Sequence, residues 1–422
     1  VSIPGPRSLA LAAQLRRYEQ RNVTYLADDF PVFWRAANGA TVIDADGNEY
    51  IDCTAGFGVA NVGHSNRHVT RAVADQATTL IHGLGDVHPT EIRIRLFERL
   101  AALLPKGLDR FFLATTGSEA VEAALKTAML ATGKSRFAAY HGGYHGLSFG
   151  ALAAGGIQRF RRPFAGALAQ SPLLLDFPRE GGISARDAAL ETERALAERD
   201  DLAAIVVEPI QGRAGAIVPP PGYLRELRRI CDERRILMVV DEIFTGFGRT
   251  GRWFAVDSDA IVPDVLCIGK AMGSGVPISA AVGRATIMDA WPLSTGEALH
   301  TSTYLGNPLG CAAALATIDE LERLDLASRA KHLGTVVRAR LEGLRWHRGV
   351  REVRGRGLLI GLQLDHARRA EAVVRHALRD GVMVLQSGVD GDVITISPPL
   401  VIEEDRLLRA MDVLEAGIME SK

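Results

Sequence analysis

Cysteine is scarce in this 422-residue chain, and its four copies, Cys53, Cys231, Cys267 and Cys311, stand far apart in apolar or helical settings. That spacing argues against a disulfide framework or a cysteine zinc site and fits a reducing cytoplasm. Charge of one sign is also lacking: 49 basic and 50 acidic residues are interspersed and leave a net charge of -1. Such a balance gives a nucleic-acid backbone or an anionic membrane nothing to recognise. No run reaches the roughly 18 apolar residues of a membrane helix, and the first thirty residues hold no signal-peptide core. The 11 histidines show no metal-ligand spacing. His141 and His145 are four apart, but Gly142, Gly143 and Gly146 argue against the helix that would align them. No internal repeat or low-complexity linker is present. The length suffices for one large domain and a second, smaller one, with a substantial core.

What is present centres on residues 238–272. The apolar run 236–240 ends in the paired carboxylates Asp241 and Glu242, and a second run, 265–268, ends at Gly269 and Lys270. Strands that deliver an acid and an amine at their C-terminal ends are how an open α/β sheet builds a site at its carboxyl edge. The chemistry that needs this pair is a lysine Schiff base to an aldehyde cofactor, with an acid facing a ring nitrogen. Taken singly, each residue has a plainer account, Asp241 as a turn or cap residue and Lys270 as an exposed loop lysine. Between them, residues 246–251 fit the glycine pattern of a dinucleotide fingerprint. Gly251, Arg252 and Trp253 then follow where a helix should open, so that reading is rejected.

In chain order, a helix is expected over 9–19 and a hairpin meander over 33–52, turning at Asp46, Gly47 and Asn48. The glycine-rich loop 55–64 either lines a pocket or makes a tight crossing. Helices are expected over 66–80 and 90–103, then a strand over 111–115. It runs into Thr116, Gly117 and Ser118 and a strongly helical sequence, an arrangement that points free N–H groups at an anion. An ordinary Ser-capped helix has the same signature. Strands follow at 136–140, 203–207 and 279–283, with helices at 223–234 and 309–321. The alternation predicts a mostly parallel sheet covered on both faces. Tyr144, flanked by glycines, is able to lie against a planar ligand or to fill a turn. From about 330 the pattern becomes α+β: helix 333–344, strand 357–364, helix 367–379, strands 382–386 and 393–397, and a helix from Glu403.

These residues resemble the class III aminotransferases, pyridoxal-phosphate enzymes of fold type I. The resemblance covers nearly the whole chain. It rests on Asp46-Gly47 with Tyr50-Ile51-Asp52, residues 116–120, Tyr144-His145-Gly146, residues 208–212, Asp241-Glu242 with 246–251, residues 269–272, Gly306-Asn307-Pro308 and Pro398-Pro399-Leu400. It implies an α/β fold with a large, mostly parallel seven-stranded sheet, helices on both faces and a smaller α+β domain. The implied division is 1–60 with 326–422 as the small domain and 61–325 as the cofactor domain. It also implies a homodimer with shared active sites, and no nucleic-acid or membrane partner.

The resemblance assigns roles residue by residue. Lys270 would carry pyridoxal 5'-phosphate as a Schiff base and move the substrate proton, and Asp241 would pair with the pyridinium nitrogen. Thr116, Gly117 and Ser118 would hold the phosphate, joined by Thr303 of the neighbouring subunit. Tyr144 and Ile243 would flank the ring, while His145 and Glu208 would support it. Phe57 and Arg213 are the implied substrate residues.

Departures from the family pattern are informative. Leu147 stands where many relatives have an arginine. Arg213 replaces a gate glutamate, Thr395 replaces its arginine partner, and Phe244 replaces a glutamine. Three of these changes remove or invert charge where the family handles carboxylates. The expected activity is ping-pong transfer of an amino group from an amine, ω-amino acid or amino acid to a keto acid such as pyruvate. Either Arg213 takes a substrate carboxylate or the enzyme prefers amines and ω-amino acids as donors. The alternative is an amino-acid racemase or epimerase, an aminomutase or a decarboxylase on the same fold.

Overall fold

The computed structural model describes residues 3–421 except 26, 28, 29, 169 and 170, so the outermost residues of the expected small domain, 1, 2 and 422, lie outside it. Its centre is a seven-stranded sheet ordered Arg110–Ala114, Ser279–Gly283, Val265–Ile268, Leu237–Asp241, Leu202–Val207, Arg136–Tyr140, Leu173–Leu175. Only Ser279–Gly283 runs against its neighbours; the remaining pairings are parallel. Every residue of Leu202–Val207 is buried, as a strand covered on both faces must be, and this is why it reads as an unbroken apolar run.

Two four-stranded sheets flank this centre. One joins the meander Trp34–Asn38, Thr41–Asp44 and Glu49–Asp52 to Val382–Met383, with Val382 pairing in parallel to Ile51. The other is ordered Val350–Arg356, Leu359–Leu364, Val393–Ile396, Leu385–Ser387. The expected strand 382–386 is therefore two strands, which leave Val384 for different sheets. The helix expected at 333–344 spans Leu326–Glu342, because Asp325 takes a left-handed turn (φ 43°) that separates it from Pro308–Arg323. The meander, the helices Arg67–Thr79 and Glu91–Leu103 and the final helix Glu404–Glu420 stand close to their expected spans. Among the described residues, no helix is long and apolar enough to cross a membrane, and no side-chain cluster has the makings of a metal site. All four cysteines are free and buried.

Candidate active site

Asp241 ends one strand and pairs across to Cys267, three residues before Lys270 on the next. Register alone therefore sets the acid and the amine side by side at the carboxyl edge. The Asp241 side chain is buried, with Oδ2 2.8 Å from His145 Nδ1 and Oδ1 accepting the Ile243 N–H at 3.0 Å. Burial works against a charge on His145, but the Asp241 carboxylate outweighs it and raises the imidazole above its ordinary pKa. The other ring nitrogen of His145, Nε2, is buried and has no partner among the described residues.

Lys270 sits in the left-handed region (φ 46°), a strained conformation for a residue with a side chain. Burial pushes its amine below the usual lysine pKa, against the pull of Asp241 and Glu208. The Nζ lies 4.0 Å from the centroid of the Phe244 ring. That ring is held by two glycines: a Cβ on Gly58 or Gly212 would stand 2.3 Å from one of its carbons. Sequence reasoning noted only that Phe244 replaces a glutamine, and missed that it covers the amine.

On the strand side of the helix Gly117–Thr132, Thr116 accepts the Glu119 N–H at 3.3 Å. Glu119 in return accepts the N–H groups of Thr115 at 2.8 Å and Thr116 at 3.0 Å. This capping box leaves the first-turn N–H groups of Gly117 and Ser118 directed outward. Ser279 Oγ donates to the Thr116 carbonyl at 2.7 Å and fixes the turn. Any Cβ on Gly117 would meet Ile243 Cδ1 at 2.7 Å, so the cup and Ile243 close on one another.

Glu208, just past its strand, accepts the Tyr144 N–H at 3.0 Å and the Gly212 N–H at 3.1 Å, and burial holds its carboxyl above the usual range. Arg213 follows directly, half-buried, with NH1 3.5 Å from the Gln386 carbonyl. Two expected residues do not join this cluster. Phe57 is 67 % exposed at a left-handed turn (φ 65°), and Thr303 is exposed ahead of the helix Pro308–Arg323. Another residue that sequence reasoning passed over is the fully buried Arg249, inside the rejected fingerprint. It donates to the carbonyls of Leu358 at 3.0 Å and Pro398 at 2.7 Å, and to Asn61 Oδ1, tying both flanking segments to the sheet.

The family described as "Aminotransferase class-III" matches residues 24–418 of the chain. The chain belongs to the class III aminotransferases. It is 39% identical over 385 residues to the acetylornithine aminotransferase of Methanosarcina mazei, covering 91% of each chain. Among solved structures, it is similar to the ornithine aminotransferase of Toxoplasma gondii ME49, at 32% identity and a TM-score of 0.87, covering 97% of this chain and 94% of that one. An amine transaminase of an uncultivated Pseudomonas species, solved in its PLP-bound form, gives 30% identity and a TM-score of 0.88, covering 96% and 99%. This aminotransferase therefore uses pyridoxal phosphate to move an amino group from an amino donor to a keto acid. The residues present fit that cofactor. They supply an outward-facing helix N-terminus in a cradle that one Cβ would fill, an amine of lowered pKa, and a buried carboxylate backed by an imidazole.

Proposed function

We propose that this aminotransferase takes a donor carrying a carboxylate as well as the reacting amine, and that Arg213 receives that carboxylate. The observation that carries the reading is Arg213 itself: a half-buried guanidinium beside Tyr144 with no carboxylate partner among the described residues. A charge in such a place is costly until an anion meets it. The relatives' names point the same way, since acetylornithine and ornithine are carboxylate-bearing ω-amino compounds.

When bound, pyridoxal phosphate supplies an aldehyde that takes the amine and a ring that draws electrons from the reacting carbon. The chain's residues do the rest. Lys270 Nζ, its pKa lowered by burial, would take the proton from the donor's amine-bearing carbon and hand it on. Asp241 would face the ring nitrogen, positioned by His145 and the Ile243 N–H. Thr116, Gly117 and Ser118 would hold the phosphate, while Tyr144 and Ile243 would flank the ring. Glu208 fixes the Tyr144 and Gly212 backbones on either side.

The two exposed residues belong to the same proposal: Phe57 and Thr303 would complete the active site of a second copy in a homodimer. The division into 61–325 and the paired ends 1–60 and 326–422 is supported by the pairing of Val382–Met383 with Glu49–Asp52. A cytoplasmic location is supported by the four free, buried thiols. Arg213→Ala tests the substrate reading. It should raise KM for a carboxylate donor by about ten- to a hundredfold, the range of a hydrogen bond to a charged group, and leave simple amines unchanged. Unchanged kinetics on every substrate would remove it.

A further inference from the structure

Arginines gather where the edge of one flanking sheet meets the central sheet. Five of them, with Glu180 and Glu352, line a single cavity of about 450 Å³, and its lining carries a net charge of +3. They come from separate parts of the chain. Arg179 follows strand Leu173–Leu175 of the central sheet, Arg338 stands on helix Leu326–Glu342, and Arg345 lies just past that helix. Arg351 and Arg354 belong to Val350–Arg356, the edge strand of its sheet. Val350 pairs with Leu364 and Glu352 with Gln363, which leaves Arg351 as the extra residue of a bulge, a device that re-aims a side chain. Arg354 is buried and Arg338 half-buried, so the charge does not lie at the surface alone.

Most arginines in this neighbourhood are answered by an acid. Arg354 meets Glu352 at 2.5 Å, Arg356 meets Glu180 at 2.5 Å, and Arg345 meets Glu342 at 3.3 Å. Arg340, on the same helix as Arg338, meets Asp412 and Glu415. These pairs engage both glutamates of the cavity. Among the described residues Arg179, Arg338 and Arg351 have no ion-pair partner. Arg338 NH1 reaches only the Gly355 carbonyl, at 3.4 Å, and its Nε is buried with no hydrogen-bond partner. A buried donor on a cation is costly until an acceptor meets it.

We propose that this cavity binds a small anion with two or more linked phosphoryl groups, at a site separate from the pyridoxal phosphate cup. None of its lining residues is among those assigned to the cofactor or to the substrate carboxylate. Cations on different walls need an anion whose acceptors point in several directions. A carboxylate is planar and carries one charge, whereas phosphoryl groups are tetrahedral, match guanidinium forks two oxygens at a time, and when linked carry the charge that a lining of +3 calls for. The walls of a cavity also focus the field of its cations on such an anion. Arg179 belongs to the central sheet's connections and the other four to the flanking sheet and its helix. The ligand would therefore bridge a seam that the Arg356 to Glu180 pair and the Glu180 N–H to Val218 carbonyl bond, at 2.9 Å, already hold from one side.

The test titrates the cofactor-loaded enzyme, whose own phosphate cup is already filled, with inorganic tripolyphosphate in a calorimeter, with sodium chloride at matched ionic strength as the control. Saturable binding of one tripolyphosphate per chain is expected, with no counterpart in chloride. Arg179→Ala and Arg351→Ala should each weaken it by about tenfold or more, the effect of one charge-assisted contact, with melting temperatures in the absence of tripolyphosphate unchanged. Arg351→Lys should recover part of the affinity, and Arg368→Ala, an exposed arginine outside the cavity, should leave it intact. Amide hydrogen exchange should slow on binding at 179–182 and 350–356. ATP in place of tripolyphosphate separates the two sources of this chemistry: tighter binding assigns the site to a nucleotide, equal or weaker binding to the bare phosphate chain, and either sustains it. Absence of saturable binding overturns the proposal, as does a variant at Arg179 or Arg351 that binds as the wild type does. A loss that Arg368→Ala matches, or protection at 116–118 in place of the cavity segments, overturns it equally.

Discussion

Glu242→Gln should change the sign of its effect on stability as pH rises. Glu242 stands beside Asp241 but points away from the amine, fully buried. Its Oε2 accepts from Thr245 Oγ1 at 2.6 Å and Ala255 N at 2.8 Å, and its Oε1 from Val256 N at 2.9 Å. Burial outweighs these bonds and raises the carboxyl from its ordinary 4.5 to about 7. Because the folded-state pKa lies above the unfolded one, the contribution is fully present below pH 4.5 and is lost as pH rises to about 7. Over that window the wild type loses roughly 3 kcal/mol from this group. Glutamine does not titrate, but its amide nitrogen is unable to accept the Val256 N–H, which costs about 1–2 kcal/mol at any pH. The variant should therefore be the less stable protein at pH 5, by up to about 1 kcal/mol, and the more stable one at pH 8, by about 1–2 kcal/mol. Denaturant midpoints of both proteins at half-unit pH steps read the difference directly, since titrations common to both cancel. A difference that stays constant within about 0.5 kcal/mol from pH 5 to 8 would show that Glu242 is ionised throughout, and the reasoning would fail.

Lys270→Ala should lose covalent retention of the cofactor, so that exhaustive dialysis removes the absorbance near 400 nm that the wild type keeps; retention would place the attachment elsewhere. Asp241→Asn should lower the first half-reaction rate by at least about a hundredfold through loss of the charge at the ring nitrogen, seen by stopped-flow absorbance. Gly212→Ala should force the Phe244 ring off Lys270, because its Cβ would stand 2.3 Å from Phe244 Cδ1. A stability loss of about 1–3 kcal/mol is expected, together with a changed pH titration of the cofactor band. Thr116→Ala removes the cap of Gly117–Thr132 and should cost about 1 kcal/mol in melting experiments, with weaker cofactor affinity by equilibrium dialysis.

The catalytic edge was legible because buried parallel strands leave a plain trace: Leu202–Val207 and Val265–Ile268 are buried at every residue, with Glu208 directly after the first and Lys270 one glycine after the second. The helix start at residues 116–118 was legible, but its cap is Thr116 rather than the expected serine, because Glu119 three residues on completes a capping box with Thr116. Other elements hid for physical reasons. Strand Val350–Arg356 carries three arginines and looks solvated. Arg354 is nevertheless buried, its guanidinium satisfied by the Gly215 carbonyl at 2.7 Å, Glu352 at 2.5 Å and Gln363 at 2.6 Å. The start of Leu326–Glu342 hid because Asp325 turns left-handed without the glycine that usually marks such a position.

The three substituted gate positions make sense together where none does alone. By the resemblance, many family members carry an arginine, a glutamate and an arginine there, a net single positive charge; here Leu147, Arg213 and Thr395 carry the same net charge with one ion. Thr395 is buried on strand Val393–Ile396 with its hydroxyl bonded to Ser387, so a long cation at that position would have to displace a satisfied pair. Leu147 is half-exposed and brings no charge. In the role proposed for Arg213, the positive potential that draws a carboxylate in would be kept but moved to the tract after Glu208. An arginine paired with a gate glutamate is neutralised until the pair opens, which lets such a site admit two classes of substrate in turn. Among the described residues Arg213 has no such partner, so in the proposed role its field would act at every stage of the cycle. That favours donor and acceptor acids that present their carboxylate in the same place, one after the other.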